Sequence, residues 1–396
     1  PHSVYVLHYP CAHGVRCTMR KGEIGMIKVV NVISDTNIGG AGKCVLTFLK
    51  YYDKADIDLT VVVPRGSLLI PEIEKLGARY IETDGIADKS LGRDGIAKLK
   101  KIFREIRPDL VHSHGCMSAR IAARLCGGTK VIYTRHSVFE PSKKISHGMG
   151  KLINGAINNA TADRIIAVAE AAKDNLVKTG VDPKKIIVIQ NGVEPLAKLN
   201  DGERTKLRTD YNVSPDEFLL GIVARLNEVK GHVYILRALK KLRDDGFKVK
   251  LLIAGTGDYE QAIRDEAVRL DIVHDVIMAG FVSDVTGIMN ILDVNMNASF
   301  GTEATSLSLL EGMSIGLPAI VSDFGGNPGV VTHGENGLIF RTKDSDDMYE
   351  KLKMYLADEG LRRKLHENSK KIFERKFRAE INTRNIESVY FSVVEG

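Results

Sequence analysis

The chain has 396 residues, 44% of them hydrophobic and 27% charged, with a formal charge of +6. Single cores stop growing near about 250–300 residues, so this length favours two domains. No stretch reaches the roughly 20 apolar residues of a membrane span, and the N-terminus lacks the apolar core of a signal peptide.

Residues 1–25 carry Met19 ahead of Met26 and read as a poorly structured leader. Of the five cysteines, Cys11 and Cys17 fall in that leader. Cys44, Cys116 and Cys126 are scattered without metal-type pairing, which points to a reducing cytoplasm. From residue 27 short β-branched runs alternate with amphipathic stretches. "IKVVNVISD" (27–35), "DLTVVVP" (58–64), "ARYIETD", "DLVHSH" (109–114), "KVIYTRH" (130–136), "DRIIAVA" (163–169) and "KIIVIQNG" (185–192) are the expected strands. Near-continuous apolar strands separated by helices imply a parallel sheet covered on both faces.

The polar segment "EPLAKLNDGERTK" (194–206) breaks the rhythm, which then restarts with "EFLLGIVAR", "KVKLLIAGTG", "DVIMAG", "DVNMNAS", "PAIVSD" and "NGLIF". The expected division is 26–196, an acceptor-side Rossmann-like domain, and 197–375, a donor-binding one. Residues 376–396 form a C-terminal helix expected to pack back on the first domain. The fold class is α/β, two doubly wound halves facing across a cleft, with ligands beyond the carboxyl ends of the strands.

Basic residues concentrate in "KLKKIFREIR" (Lys98, Lys100, Lys101, Arg104, Arg107) and "PSKKISHGMGK" (Lys143, Lys144, Lys151). No aromatic-interleaved basic motif accompanies them, so an anionic membrane surface fits better than nucleic acid; a solvated helix face is the plain alternative.

Several strand ends carry chemistry. Gly39, Gly40 and Gly42 enter a helix, where glycine lets an anion approach the free N–H donors. The loop is neither a P-loop, since Cys44 follows Lys43, nor G-x-G-x-x-G. Arg225 and Lys230 follow the first strand of the second half and suit a diphosphate, a planar fork beside a point charge. In "FGTEATSLSLLEG" (300–312), Glu303 and Glu311 stand eight positions apart. On one helix they would diverge by about 80°. The better fit puts Glu303 in the loop entering the helix and Glu311 inside it, with the N–H groups around Ser306 and Leu307 as an anion-binding end.

"EATSLSLLE" resembles the E-x7-E signature of family 4 glycosyltransferases, retaining enzymes of GT-B fold that use nucleotide-sugar donors. "IGGAG", "DLVHSHG", "RLNEVKG", "IAGTGD", "GFVSD", "GLPAIVSDFGGNP" and "ENGLIF" follow in family order. The resemblance implies that Arg225 and Lys230 grip the donor diphosphate, Glu303 contacts the transferred sugar and Glu311 the ribose diol. Gly39 and Gly40 match the first-domain loop near the phosphates, and His136 the histidine beside the reacting centre. Gly255 and Gly257 match glycines beside the donor cleft, and Phe281 and Val282 the segment whose backbone reads the base. Two positions depart: Ala304 stands where many relatives carry Gly, and Gly329 where they carry Glu.

The expected reaction is hexosyl transfer with retention, without metal or cofactor beyond the donor nucleotide-diphosphate sugar. "DSD" (344–346) reads as a helix cap and "DID" (56–58) leads into a strand. The two histidines of "HSH" (112–114) are explained by a strand end facing the acceptor cleft. A paired-carboxylate glycosidase is disfavoured, since no second acid flanks the bond to be cleaved. A nucleotide-sugar epimerase of the same fold and an idle nucleotide-binding module are the other classes. The donor base (UDP, GDP or ADP) stays open. So does the acceptor, a lipid-linked glycan of the cell envelope or a soluble small molecule. A cytoplasmic protein peripheral to the inner membrane face is the expected setting.

Overall fold

Strands with Val, Ile and Leu on both sides need cover on both faces, which forces helices above and below each sheet. The computed structural model describes residues 25–396, so the expected leader lies outside the described residues except for Gly25. The first half supplies β1 (Ile27–Ile33), β2 (Ile57–Pro64), β3 (Arg79–Thr83), β4 (Leu110–His114), β5 (Lys130–Arg135), β6 (Arg164–Ala167) and β7 (Ile186–Val188). They form one parallel sheet in the order β3-β2-β1-β4-β5-β6-β7. The second half supplies β8 (Phe218–Val223), β9 (Val249–Ala254), β10 (Val276–Gly280), β11 (Val294–Asn297), β12 (Ala319–Ser322) and β13 (Gly337–Phe340). These pair in parallel as β10-β9-β8-β11-β12-β13.

Successive residues of a strand enter different cores. Leu220, Leu251 and Ile253 join one buried cluster, while Leu219, Leu252 and Ala254 join another. In the first sheet Val29 and Ile33 go to one side, Val30 and Val32 to the other. Each fully buried Leu, Ile or Val contributes about 1.5–3 kcal/mol. In both sheets the strand order reverses once, between β1 and β4 and between β8 and β11. The crevice beyond the carboxyl ends at such a point is where open α/β sheets take ligands.

The polar segment 194–206 is not irregular throughout. Residues Asp201–Asp210 are helical, opened by a capping box between Asn200 and Glu203. Arg204 and Arg208 of this helix both reach Asp293, just before β11, at 3.1 Å. The pattern N-x-x-E announced that start, but the low apolar content concealed the helix behind it.

At the other end the helix Glu359–Lys376 is followed by an isolated β-bridge between Val193 and Arg378. Val193 N–H donates to the Phe377 carbonyl at 2.9 Å, and Ala379 N–H to the Val193 carbonyl at 3.0 Å. The final helix, Ala379–Glu395, then lies against the helix Gly40–Tyr51 of the first half. Tyr390 is fully buried there, in the same cluster as Phe48.

Candidate active site

The E-x7-E segment folds as two parts. Glu303 lies in the loop after β11, and Glu311 lies within the helix Leu307–Ser314. Ser306 caps that helix without a side-chain hydrogen bond, its hydroxyl instead pairing with that of Ser308 at 3.1 Å. The first-turn N–H groups, Leu307 among them, thus keep their donors free of a side-chain cap, at the positive end of the helix dipole.

Glu303 is only 7% exposed, yet its carboxylate is well satisfied on one side. Oε2 accepts from Lys230 Nζ at 2.7 Å, Ser299 Oγ at 2.9 Å and Asn297 Nδ2 at 3.0 Å. Oε1 takes no hydrogen bond among the described residues. The glycines of "DFGGNP" hold the loop in place. Gly326 N–H donates to the Glu303 carbonyl at 3.1 Å, and a Cβ on Gly326 would stand 1.5 Å from the Ala304 carbonyl oxygen. Ala304 itself is buried in a cluster with Val138 and Val168 of the first half.

Arg225 and Lys230 flank a short turn after β8, closed by Gly231 with φ +71°. Only Lys230 meets Glu303. Arg225 is exposed and makes no ion pair among the described residues. Gly255 and Gly257 pass so close to this loop that neither position has room for a side chain. Added Cβ atoms would come within 1.9 Å of the Ala224 carbonyl and 2.0 Å of the Leu226 carbonyl. Gly255 N–H donates to Gly280 at 2.7 Å, which brings the end of β10 alongside. There Phe281 is 75% exposed, while Val282 packs partly into the core.

Across the cleft, Gly39 caps the helix Gly40–Tyr51 with no side-chain hydrogen bond. Nothing lies within 4 Å of a Cβ placed on Gly39 or Gly40. From the next turn Lys43 Nζ reaches Glu311 Oε1 at 3.4 Å, joining the two halves. Gln190 Nε2 donates to the Gly329 carbonyl at 2.9 Å, and Thr305 Oγ1 to the Val168 carbonyl. The position lacking the family's Glu therefore serves as a contact between halves through its backbone.

His136 sits at the end of a file of three imidazoles. His112 and His114 ring centroids are 4.2 Å apart, and His114 and His136 are 5.2 Å apart and stacked. His114 Nδ1 and His136 Nε2 share a hydrogen bond of 2.8 Å. His112 is bonded to Tyr390 and Thr134, both at 2.6 Å. Burial pushes His112 down to about 3 and His136 to about 4. His114 is driven well below the usual range by burial and by its two neighbours. All three are neutral near pH 7. His114 Nε2 and His136 Nδ1 are buried without a partner, and both residues line a cavity of about 20 Å³. "HSH" is thus buried and hydrogen-bonded, not a pair of side chains open to the cleft. Asp344 of "DSD" caps a helix, accepting from the Asp346 and Asp347 amides. No cluster of three or more His, Cys, Asp or Glu among the described residues is placed to hold a metal ion.

Sequence reasoning missed four members of this arrangement. Asn297 and Ser299 were legible only as the end of a strand, Lys43 only as part of a failed P-loop, and Tyr390 not at all.

Taken together, a buried carboxylate, a paired lysine, a free arginine and an uncapped helix end suit a diphosphate with hydroxylated rings on either side. Residues 203–372 match the family model described as glycosyl transferases group 1, and residues 38–195 that described as glycosyltransferase family 4. The UDP-Gal:alpha-D-GlcNAc-diphosphoundecaprenol alpha-1,3-galactosyltransferase of Escherichia coli is 26% identical over 359 residues, 86% of this chain and 91% of that protein. The D-inositol 3-phosphate glycosyltransferase of Actinosynnema mirum is 28% identical over 287 residues, 66% of this chain and 67% of that protein. Anabaena Alr3699/HepE, solved in complex with UDP and glucose, superposes with a TM-score of 0.80 at 20% identity, covering 92% of this chain and 100% of that one.

Two parallel sheets meeting at their carboxyl ends make this a GT-B fold. The chain belongs to family 4 of the glycosyltransferases, and its reaction is the transfer of a sugar from a nucleotide-sugar donor.

Proposed function

We propose that the enzyme transfers a hexosyl group from a nucleotide-diphosphate sugar with retention at the anomeric carbon. The observation that carries this reading is the Lys230–Glu303 pair of 2.7 Å set beside the uncapped end of the helix Leu307–Ser314. The diphosphate lies on that helix end, gripped by Lys230 and by Arg225. Glu303 Oε1, free of protein donors, accepts from hydroxyls of the transferred sugar. Glu311 accepts from the ribose diol, releasing Lys43. Gly39 and Gly40 let the first half approach the phosphates, and the backbone at Phe281 and Val282 meets the base. His136, neutral, donates or accepts a hydrogen bond at the sugar.

In the reaction the bond from the anomeric carbon to the diphosphate oxygen breaks, and its electron pair stays on the diphosphate. The acceptor oxygen bonds to that carbon on the same face, and its proton passes to a departing phosphate oxygen. Lys230, Arg225 and the helix end stabilise the charge that develops on the leaving group, so the scheme assigns no step to a metal. The acceptor is a lipid-linked glycan in envelope polysaccharide assembly, in keeping with the diphosphoundecaprenol-linked sugar in the galactosyltransferase relative's name; a small-molecule acceptor, in keeping with the D-inositol 3-phosphate in the other relative's name, is the second reading.

A thermal-shift panel of UDP, GDP and ADP sugars identifies the donor, and proton NMR of the product reads the anomeric configuration against it. Glu303→Ala is expected to lose about 10²-fold or more in kcat. Full turnover in that variant, or an inverted product, overturns the reading.

A further inference from the structure

The helix Gly148–Thr161 is turned inside out relative to an ordinary surface helix. Its packed face is polar. Asn154 Nδ2 donates to the Thr179 carbonyl at 2.7 Å, Asn158 Oδ1 accepts from Arg120 at 3.0 Å, and Asn159 Nδ2 reaches the Gly180 carbonyl at 3.4 Å. Gly155 sits so close to Gly180 that an added Cβ would stand 2.2 Å from its carbonyl oxygen. Its outward face is apolar, with Met149 70% and Leu152 66% exposed and Ile153 and Ile157 exposed beside them. At about 100° per residue these four side chains fall within an arc of about 140°. Ile145, on the preceding short helix Lys143–Ser146, is exposed as well.

Soluble proteins keep such a contiguous apolar face covered or give it a partner. The charge around it selects that partner. Residues 141–162 hold Lys143, Lys144 and Lys151 and no Asp or Glu. Among the described residues none of these lysines has an ion-pair partner. The other basic helix, Arg93–Ile106, lacks this character: it exposes no large hydrophobic side chain, and Lys98 pairs with Asp84 and Asp94. Lys151 lies on the packed side, against Gly180, whereas Lys143 and Lys144 are exposed just ahead of the ridge. An apolar ridge with unpaired lysines at its end is the form of a helix lying in a bilayer interface.

We propose that residues 143–161 dock the protein in the plane of an anionic lipid bilayer. Ile145, Met149, Leu152, Ile153 and Ile157 enter the acyl region, and the exposed Lys143 and Lys144 meet lipid phosphates. The inference stands on the ridge and its charge, independently of the transfer reaction. Ile145 follows His136 by nine positions, so docking also brings the acceptor side of the cleft towards the lipid.

The test is co-sedimentation of the full chain with phosphatidylglycerol-rich and with phosphatidylcholine vesicles at low and high salt. The wild type is expected to pellet with the anionic vesicles and about tenfold less with the neutral ones. Leu152→Gln/Ile153→Gln, both exposed, is expected to lose about tenfold in vesicle binding at either salt, with unchanged Tm and an unchanged thermal shift on adding whichever of the UDP, GDP or ADP sugars shifts the wild type. Lys143→Gln/Lys144→Gln is expected to bind weakly and to lose most of its salt dependence. Wild type left in the supernatant with anionic vesicles overturns the proposal, as does an apolar variant that pellets like wild type. A solution dimer that the apolar variant converts to monomer also overturns it, since a second copy then covers the ridge. Vesicle binding that persists in a protein showing no nucleotide-induced shift supports docking while counting against the transfer reading alone.

Discussion

Lys230 Nζ and Glu303 Oε2 lie 2.7 Å apart, with side chains 19% and 7% exposed, so each is the other's main electrostatic partner in a largely dry site. Removing one partner of such a pair leaves a buried charge uncompensated. Lys230→Met leaves the Glu303 carboxylate with only the neutral donors Asn297 and Ser299, and is expected to lower stability by about 1–3 kcal/mol and kcat by about 10²-fold or more. Glu303→Gln added to Lys230→Met is expected to restore part of the stability and none of the activity. Denaturant unfolding and steady-state kinetics on the double-mutant cycle separate the two effects.

The contact between Lys43 and Glu311 behaves differently, being longer, at 3.4 Å, with its lysine half in solvent. Exposed ion pairs contribute about 0–1 kcal/mol, so Lys43→Ala is expected to leave Tm nearly unchanged. It also frees Glu311, and nucleotide affinity is expected to rise by up to about fivefold, within that same energy. Glu311→Ala is expected to weaken nucleotide binding by about tenfold or more. Calorimetric titration with the nucleotide checks both. A weaker-binding Lys43→Ala would show that the lysine holds the nucleotide and does not compete with it.

The site glycines divide into two kinds. Gly257 has no room for a methyl group against the Leu226 carbonyl, whereas Gly39 and Gly40 face open space. Gly257→Ala is therefore expected to cost about 1–3 kcal/mol of stability, read as a fall in Tm. Gly39→Ala and Gly40→Ala are expected to fold with unchanged Tm and to raise KM for the donor, because only a bound phosphate would meet the new methyl.

Acid should unfold this protein earlier than its carboxylates alone require. Burial holds His112 down to about 3 and His136 and His232 to about 4, and His114 well below the usual range. An unfolded histidine titrates near about 6.5. Between there and about pH 4 the unfolded chain binds protons that the folded chain refuses, so stability falls as pH drops. Each group contributes a slope of about 1.4 kcal/mol per pH unit. His232 is buried with both ring nitrogens unpartnered. His232→Leu is expected to remove one such slope, seen in denaturant unfolding from pH 7 to pH 5. Activity is expected to show no step near pH 6.5 from His136.

The local features were legible from the chain alone because they repeat at the period of the structure they form. Apolar runs of four to eight residues gave the strands, "DSD" gave its cap, and the spacing of Glu303 and Glu311 placed one in a loop and one in a helix. The helix Asp201–Asp210 escaped because its stability rests on Arg204 and Arg208 reaching Asp293, a residue far along the chain. The same limit hid Lys43 from Glu311, and Tyr390 from His112.

What the sequence determined by itself was the parallel α/β character and the chemical type of the site, since periodicity and residue chemistry are local properties. Only the tertiary structure decided which acid meets which cation, that His112 and His114 are buried and all three histidines neutral, and that the helix Gly148–Thr161 turns its apolar side outward. Those outcomes depend on crossovers that bring distant strand ends together, and on which face of a helix its neighbours can bond. Period along the chain carries neither.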